Sequence, residues 1–178
     1  MLNLAQTCKS LSDDVVEALY QLHSYDAIRW ACTRGTLYPL RNCLRFNLSF
    51  NQYLDVSPQD EPLDYITAVN TAAVVLFGPT PLILALAHGR FEVAEYLIEN
   101  GALVNLPEGG LDSDHRFLPY SSRWFPIHFA LLQTQSTDRA EGALRVLKKL
   151  LDCGASPNQQ ALDLRPFAVP RTPLAQVM

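Results

Sequence analysis

Residues 80–105, TPLILALAHGRFEVAEYLIENGALVN, carry the punctuation of two short helices joined by a tight turn, and they constrain the fold more than any other part of the chain. Thr80 is a good N-cap residue, and Pro81 suits the first helical position, where a missing N–H costs nothing. Leu82, Leu84, Ala85 and Leu86 give that helix an apolar side, and Gly89 stops it. A second helix is predicted from Glu92 onward, with Val93, Leu97 and Ile98 on one face. It ends at Asn100-Gly101, where a left-handed C-cap wants glycine. Helices this short are marginal alone in water. They need similar neighbours to stack on, which points to an all-α repeat architecture.

The pattern returns elsewhere. Phe125-Pro126-Ile127-His128-Phe129-Ala130 matches the first helix, and residues 146–158, VLKKLLDCGASPN, match the second helix, its cap at Gly154 and the closing Asn158. Upstream, residues 26–51 align with Ala31 on Ala85, Gly35 on Gly89, Leu44 on Ile98, Asn47 on Gly101 and Asn51 on Asn105. This unit is degenerate, with Pro39 where Val93 sits and Cys43 where Leu97 sits. Downstream, Arg171-Thr172-Pro173-Leu174 opens a fourth unit. The best segment resembles an ankyrin repeat, whose period is about 33 residues with a T-P-L-H-x-A signature, although Ile83 replaces its His. The resemblance implies a short ankyrin-like α-solenoid with units at 26–51, 80–105 and 125–158 and a stub at 172–178. Pro81, Pro126 and Pro173 stand 45 and 47 residues apart, so long insertions are expected at 52–79, 106–124 and 159–171. The first of them has an acidic start and then Ile66, Val69, Ala73, Leu76 and Phe77 at helical spacing, which predicts an extra helix.

Residues 1–25 form a different unit, an N-terminal helical segment. Leu4, Cys8, Leu11, Val15, Ala18, Leu19 and Leu22 make one apolar stripe. LAQTCKSLSDDVVEALY resembles the second half of an F-box, and the order of modules is similar to that of fungal-type F-box/ankyrin proteins. That resemblance implies docking on the linker subunit of a cullin-type ubiquitin ligase. The leading Leu-Pro helix of an F-box is not in this sequence, so its N-terminus is expected to be a truncated F-box. The plainer expectation is an amphipathic helix that buries its stripe by capping the first repeat.

At 178 residues and 48% hydrophobic, the chain is long enough to bury a core. Its net charge of −4 argues against a nucleic-acid partner, which calls for a basic stripe. No basic start followed by an apolar core opens the chain, so no secretory signal is expected. The uncharged run 66–87 is broken by Gly78-Pro79-Thr80-Pro81, which argues against a membrane span. Cys8, Cys32, Cys43 and Cys153 lack C-x-x-C spacing and read as buried small hydrophobes of a reducing compartment, the cytoplasm first and the nucleus as an alternative. His23, His88, His115 and His128 form no metal-binding motif, and no phosphate-binding glycine turn is present. No enzyme, cofactor or metal is therefore expected.

The expected function is binding of a partner protein through the concave face and finger loops. By repeat register, Arg34, His88 and Gln133, with Thr33, Ala87 and Leu132 beside them, lie at the partner-facing ends of the first helices. Tyr120, Arg123 and Trp124 in one finger and Phe167 in another add anchor types. Trp124 has an alternative role, folding back over its neighbouring helix. A substrate adaptor for ubiquitin transfer is the second expectation. A fragment without activity of its own, or an enzyme, is the remote one. An uncapped C-terminal end is expected to favour self-association.

Overall fold

The computed structural model describes residues 13–54, 79–107 and 124–160, and among these the protein is all-α, with seven helices and no strand. Helix α1 covers residues 13–22. Then come α2 (Ser24–Arg34), α3 (Tyr38–Arg45), α4 (Pro81–Ala87), α5 (Phe91–Glu99), α6 (Pro126–Gln133) and α7 (Ala140–Asp152). Within pairs, α2 packs on α3, α4 on α5 and α6 on α7. Between pairs, α2 packs on α4, α4 on α6 and α5 on α7. The fourth unit begun by Thr172 and the extra helix expected at 66–77 lie outside the described residues.

Local chemistry explains where the helices start. Thr80 caps α4, its Oγ1 accepting from the Ile83 N–H at 3.3 Å, with Pro81 in the first turn. Phe125 has no side-chain acceptor, and α6 is capped from the other direction. His128 Nδ1 accepts from the Phe125 N–H at 3.2 Å, while the His128 N–H donates to the Phe125 carbonyl at 2.9 Å. Each helix thus keeps one half of a two-way capping arrangement.

All three second helices end alike. Asn47, Gly101 and Gly154 take φ of 56°, 88° and 87°, the left-handed region that asparagine tolerates and glycine enters freely. The N–H groups of Leu48, Ala102 and Ala155 then return to the carbonyls of Cys43, Leu97 and Leu150 at 2.9 Å. These matching hydrogen bonds fix Cys43, Leu97 and Leu150 as structural counterparts. All three are fully buried.

Two asparagines tie one pair to the next. Asn51 donates Nδ2–H to the Gly101 carbonyl at 3.0 Å and accepts the Leu103 N–H on Oδ1 at 2.7 Å. Asn105 repeats this on the following pair, donating to the Gly154 carbonyl at 3.0 Å and accepting from the Ser156 N–H at 3.4 Å. The core runs through the pairs, with Ile28, Leu82 and Ile127 on the first helices and Val93 and Val146 on the second. Each such aliphatic side chain stabilises the fold by about 1.5 to 3 kcal/mol on burial. Helices too short to stand alone are thereby held. The N–H of Leu54 donates to the Pro79 carbonyl at 3.0 Å, so both ends of the insertion meet and the stack continues past it.

Three expectations need correction. The stripe on α1 does not face the core: Val15, Leu19 and Leu22 are 58%, 52% and 76% exposed. The helix docks by its other side, where the Tyr20 hydroxyl accepts from Asn42 Nδ2 at 3.0 Å, its ring lies 5.6 Å from Phe46, and Asp13 pairs with Arg45 at 3.3 Å. Polar contacts and one aromatic pair set the orientation here, and periodicity could not see them. Residues 134–139 form a turn, and α7 starts at Ala140, so the second helix of the third unit begins ahead of the stretch 146–158 that matches the repeat and is 13 residues long against 9 for α5. Cys153 is exposed, because it occupies the C-cap of α7 just as Asn100 does on α5. Cys32 and Cys43 are buried as expected.

Candidate functional site

The ends of α2, α4 and α6 form one edge, and hydrogen bonds from each unit to the one before it hold it together. Arg90, at the N-cap of α5, sends Nε–H to the Thr33 carbonyl at 2.8 Å. Its side chain lies across Gly35, so a Cβ built there would stand 3.1 Å from Arg90 Cδ. Arg139, at the N-cap of α7, covers Gly89 in the same way, at 3.3 Å, and donates to Gln133 Oε1 at 3.1 Å. Gln133 Nε2–H in turn donates to the Ala87 carbonyl at 3.0 Å. Carbonyls that would otherwise be orphaned at helix ends are satisfied by the following unit.

Of the residues expected to meet a partner, Arg34, His88 and Gln133 lie on this edge, at or just beyond the last turns of α2, α4 and α6. Arg34 is exposed, His88 is half-buried at the C-cap of α4, and Gln133 is half-buried in the bridge just described. Trp124 is at the opposite end of α6, directly before its N-cap. It is half-buried, with its ring 5.6 Å from Phe129 and 6.3 Å from His128, so it rests on its own helix. Tyr120, Arg123 and Phe167 lie outside the described residues.

Sequence reasoning passed over two features. Trp30 is 52% exposed and precedes Arg34 by four residues on α2, so the two share a helix face. Arg90 and Arg139 each occupy the residue before a second helix, which was the available signal, though their targets lie in the preceding unit. On the second helices, Glu95 pairs with Arg145 and Glu99 with Lys149, giving a charged ladder between α5 and α7. The Glu95 hydrogen bond raises the Arg145 pKa above its ordinary value. Among the described residues, no group of three or more His, Cys, Asp and Glu could hold a metal ion, and no helix is long and apolar enough to cross a membrane.

Stacked helix pairs, left-handed caps and cross-unit clasps define a helical repeat protein. Residues 77–108 match the family model of the ankyrin repeat, and that span contains α4, α5 and Asn105. No curated protein matches the chain. The match supports an ankyrin-repeat protein, and repeats of this kind are in general modules for protein–protein interaction.

Proposed function

We propose that the chain binds a partner protein along the edge formed by Arg34, His88 and Gln133, widened by Trp30, Arg90 and Arg139. The observation that carries this reading is the exposed Trp30 beside Arg34. Trp and Arg are the residue types that most often anchor interfaces, and here they stand on a helix whose end is pinned to the next unit. A pinned edge loses little conformational freedom on binding, which favours affinity. In this proposal the finger residues Tyr120, Arg123 and Phe167 contribute as well, while Trp124, at the opposite end of α6 and resting on its own helix, does not. The test is selection of binders from a displayed human-made protein or peptide library, followed by titration against Trp30→Ala/Arg34→Ala. A loss of about tenfold or more in affinity is expected with the melting temperature unchanged. Binders indifferent to the double substitution would move the interface elsewhere.

A second reading is supported by α1, whose exposed Val15, Leu19 and Leu22 offer an apolar stripe while the rest of the helix is anchored to α3. This is the adaptor role, with α1 docking the linker subunit of a cullin-type ubiquitin ligase in the cytoplasm or nucleus. Purified linker subunit should bind the chain and lose that binding in Leu19→Asp. Equal binding by both proteins, or by neither, removes this reading.

A further inference from the structure

Comparing the three helix pairs position by position shows what the last one lacks. Cys32 on α2 and Leu86 on α4 hold the same place and are fully buried, whereas their counterpart on α6, Leu131, is half-buried. On the second helices, Leu40 and Ala94 are fully buried and their counterpart Leu147 is half-buried. Leu144 and Leu151 stand 56% and 42% exposed on the same helix, α7. The outer side of α6 and α7 is therefore an apolar face of the kind that a following unit covers in the pairs before it.

The chain itself contains a matching occupant. Thr80-Pro81-Leu82 opens α4, and Pro126 opens α6, stacked on α4, 45 residues further on. Another 47 residues along, the sequence reads Thr172-Pro173-Leu174. In that register Leu174 takes the place of Leu82 and Ile127, 1% and 3% exposed, and Val177 that of Ala85 and Ala130, both fully buried. Residues 161–171 separate this segment from the last described residue, and at about 3.3 to 3.6 Å per residue they span well beyond the 8 to 10 Å between packed helices.

We propose that residues 172–178 dock as a helix on the outer face of α6, beside Leu131 and Leu147, and cap the array from within the chain. A second copy competes poorly for the same place, because a short tether holds the segment at an effective concentration in the millimolar range.

Hydrogen exchange on the full chain, combined with sedimentation over a hundredfold range of concentration, tests this. In Leu174→Asp the amides of Leu131, Leu132 and Leu147 should exchange about tenfold faster than in the parent, while those of Leu97 and Ile98 keep their rates. The milder Thr172→Ala/Pro173→Gly should shift the same amides in the same direction by less, and it decides the matter if the aspartate variant fails to fold. Both variants and the parent should sediment as monomers at the lower concentrations. Unchanged exchange in α6 for the milder variant overturns the proposal. So does protection of α6 that grows with protein concentration alongside a dimer, since that assigns the face to a second copy.

Discussion

Phe91 packs against the bare Cα of Gly142: a Cβ built at position 142 would stand 2.4 Å from the ring. Gly142 lies inside α7, where alanine ordinarily gains about 1 kcal/mol over glycine in helix propensity. Here the overlap is with the inner atoms of a ring seated between α5 and α7, and overpacking of that kind costs roughly 1 to 3 kcal/mol. Steric cost outweighs propensity. Gly142→Ala should lower the urea midpoint, and Phe91→Leu in the same chain should recover part of the loss. A rise in stability on Gly142→Ala alone would show that the ring is not held there.

The asparagine clasps make a graded series. Asn51 and Asn105 each satisfy one carbonyl and one N–H of the following unit, and removing either side chain leaves both backbone groups to water. Because the sites are exposed, Asn105→Ala should cost about 1 to 2 kcal/mol rather than the larger penalty of a buried orphan. Asn158, next in the sequence pattern, is exposed, and Asn158→Ala should leave the thermal midpoint unchanged. Equal effects at Asn105 and Asn158 would mean that the clasp contributes nothing specific.

Leu97→Ala is the corresponding test of the core. Leu97 is fully buried, its carbonyl receives the Ala102 N–H, and truncation should cost about 2 to 5 kcal/mol through the cavity it leaves. Leu103→Ala, at a side chain 54% exposed, should cost clearly less. Comparable urea midpoints for the two variants would contradict the burial assigned to the middle pair.

What could be read in advance follows from how far each signal travels. Thr80, Pro81 and the glycines at 101 and 154 act within a few residues of themselves, so the caps of α4, α5 and α7 were legible in the sequence. Asn47 was legible too, because its alignment with Gly101 implied a left-handed residue, and its φ is 56°. Val15, Leu19 and Leu22 do share one face of α1, but spacing reveals a face without revealing what it meets. The contacts that turn it outward, Tyr20 to Asn42 and Asp13 to Arg45, join residues more than twenty positions apart. Of the candidate edge, register alone placed Arg34, His88 and Gln133. Arg90 and Arg139 escaped because each reaches back to the preceding unit, and Trp30 escaped because a tryptophan on a short helix reads as core until its exposure is known.

The cysteines give a pH dependence with a definite sign. Burial pushes the Cys43 thiol up to about 11, against an ordinary value of 9.0. Burial, and secondarily the neighbouring Cys43, raises Cys32 further. The folded state therefore keeps both thiols protonated where the unfolded chain has begun to release its protons. Stability from this source is complete below pH 9 and declines as pH rises toward 11, because unfolding then releases protons. The urea midpoint should accordingly fall between these values, and Cys43→Ala should fall less steeply. Alkylation supplies an independent check, since the thiolate is the reactive form. At pH 8 a thiol reagent should modify the exposed Cys153 readily and reach Cys32 and Cys43 only after denaturant is added. Labelling of Cys43 in the native protein at the rate of Cys153 would show that α3 opens far more often than its packing implies.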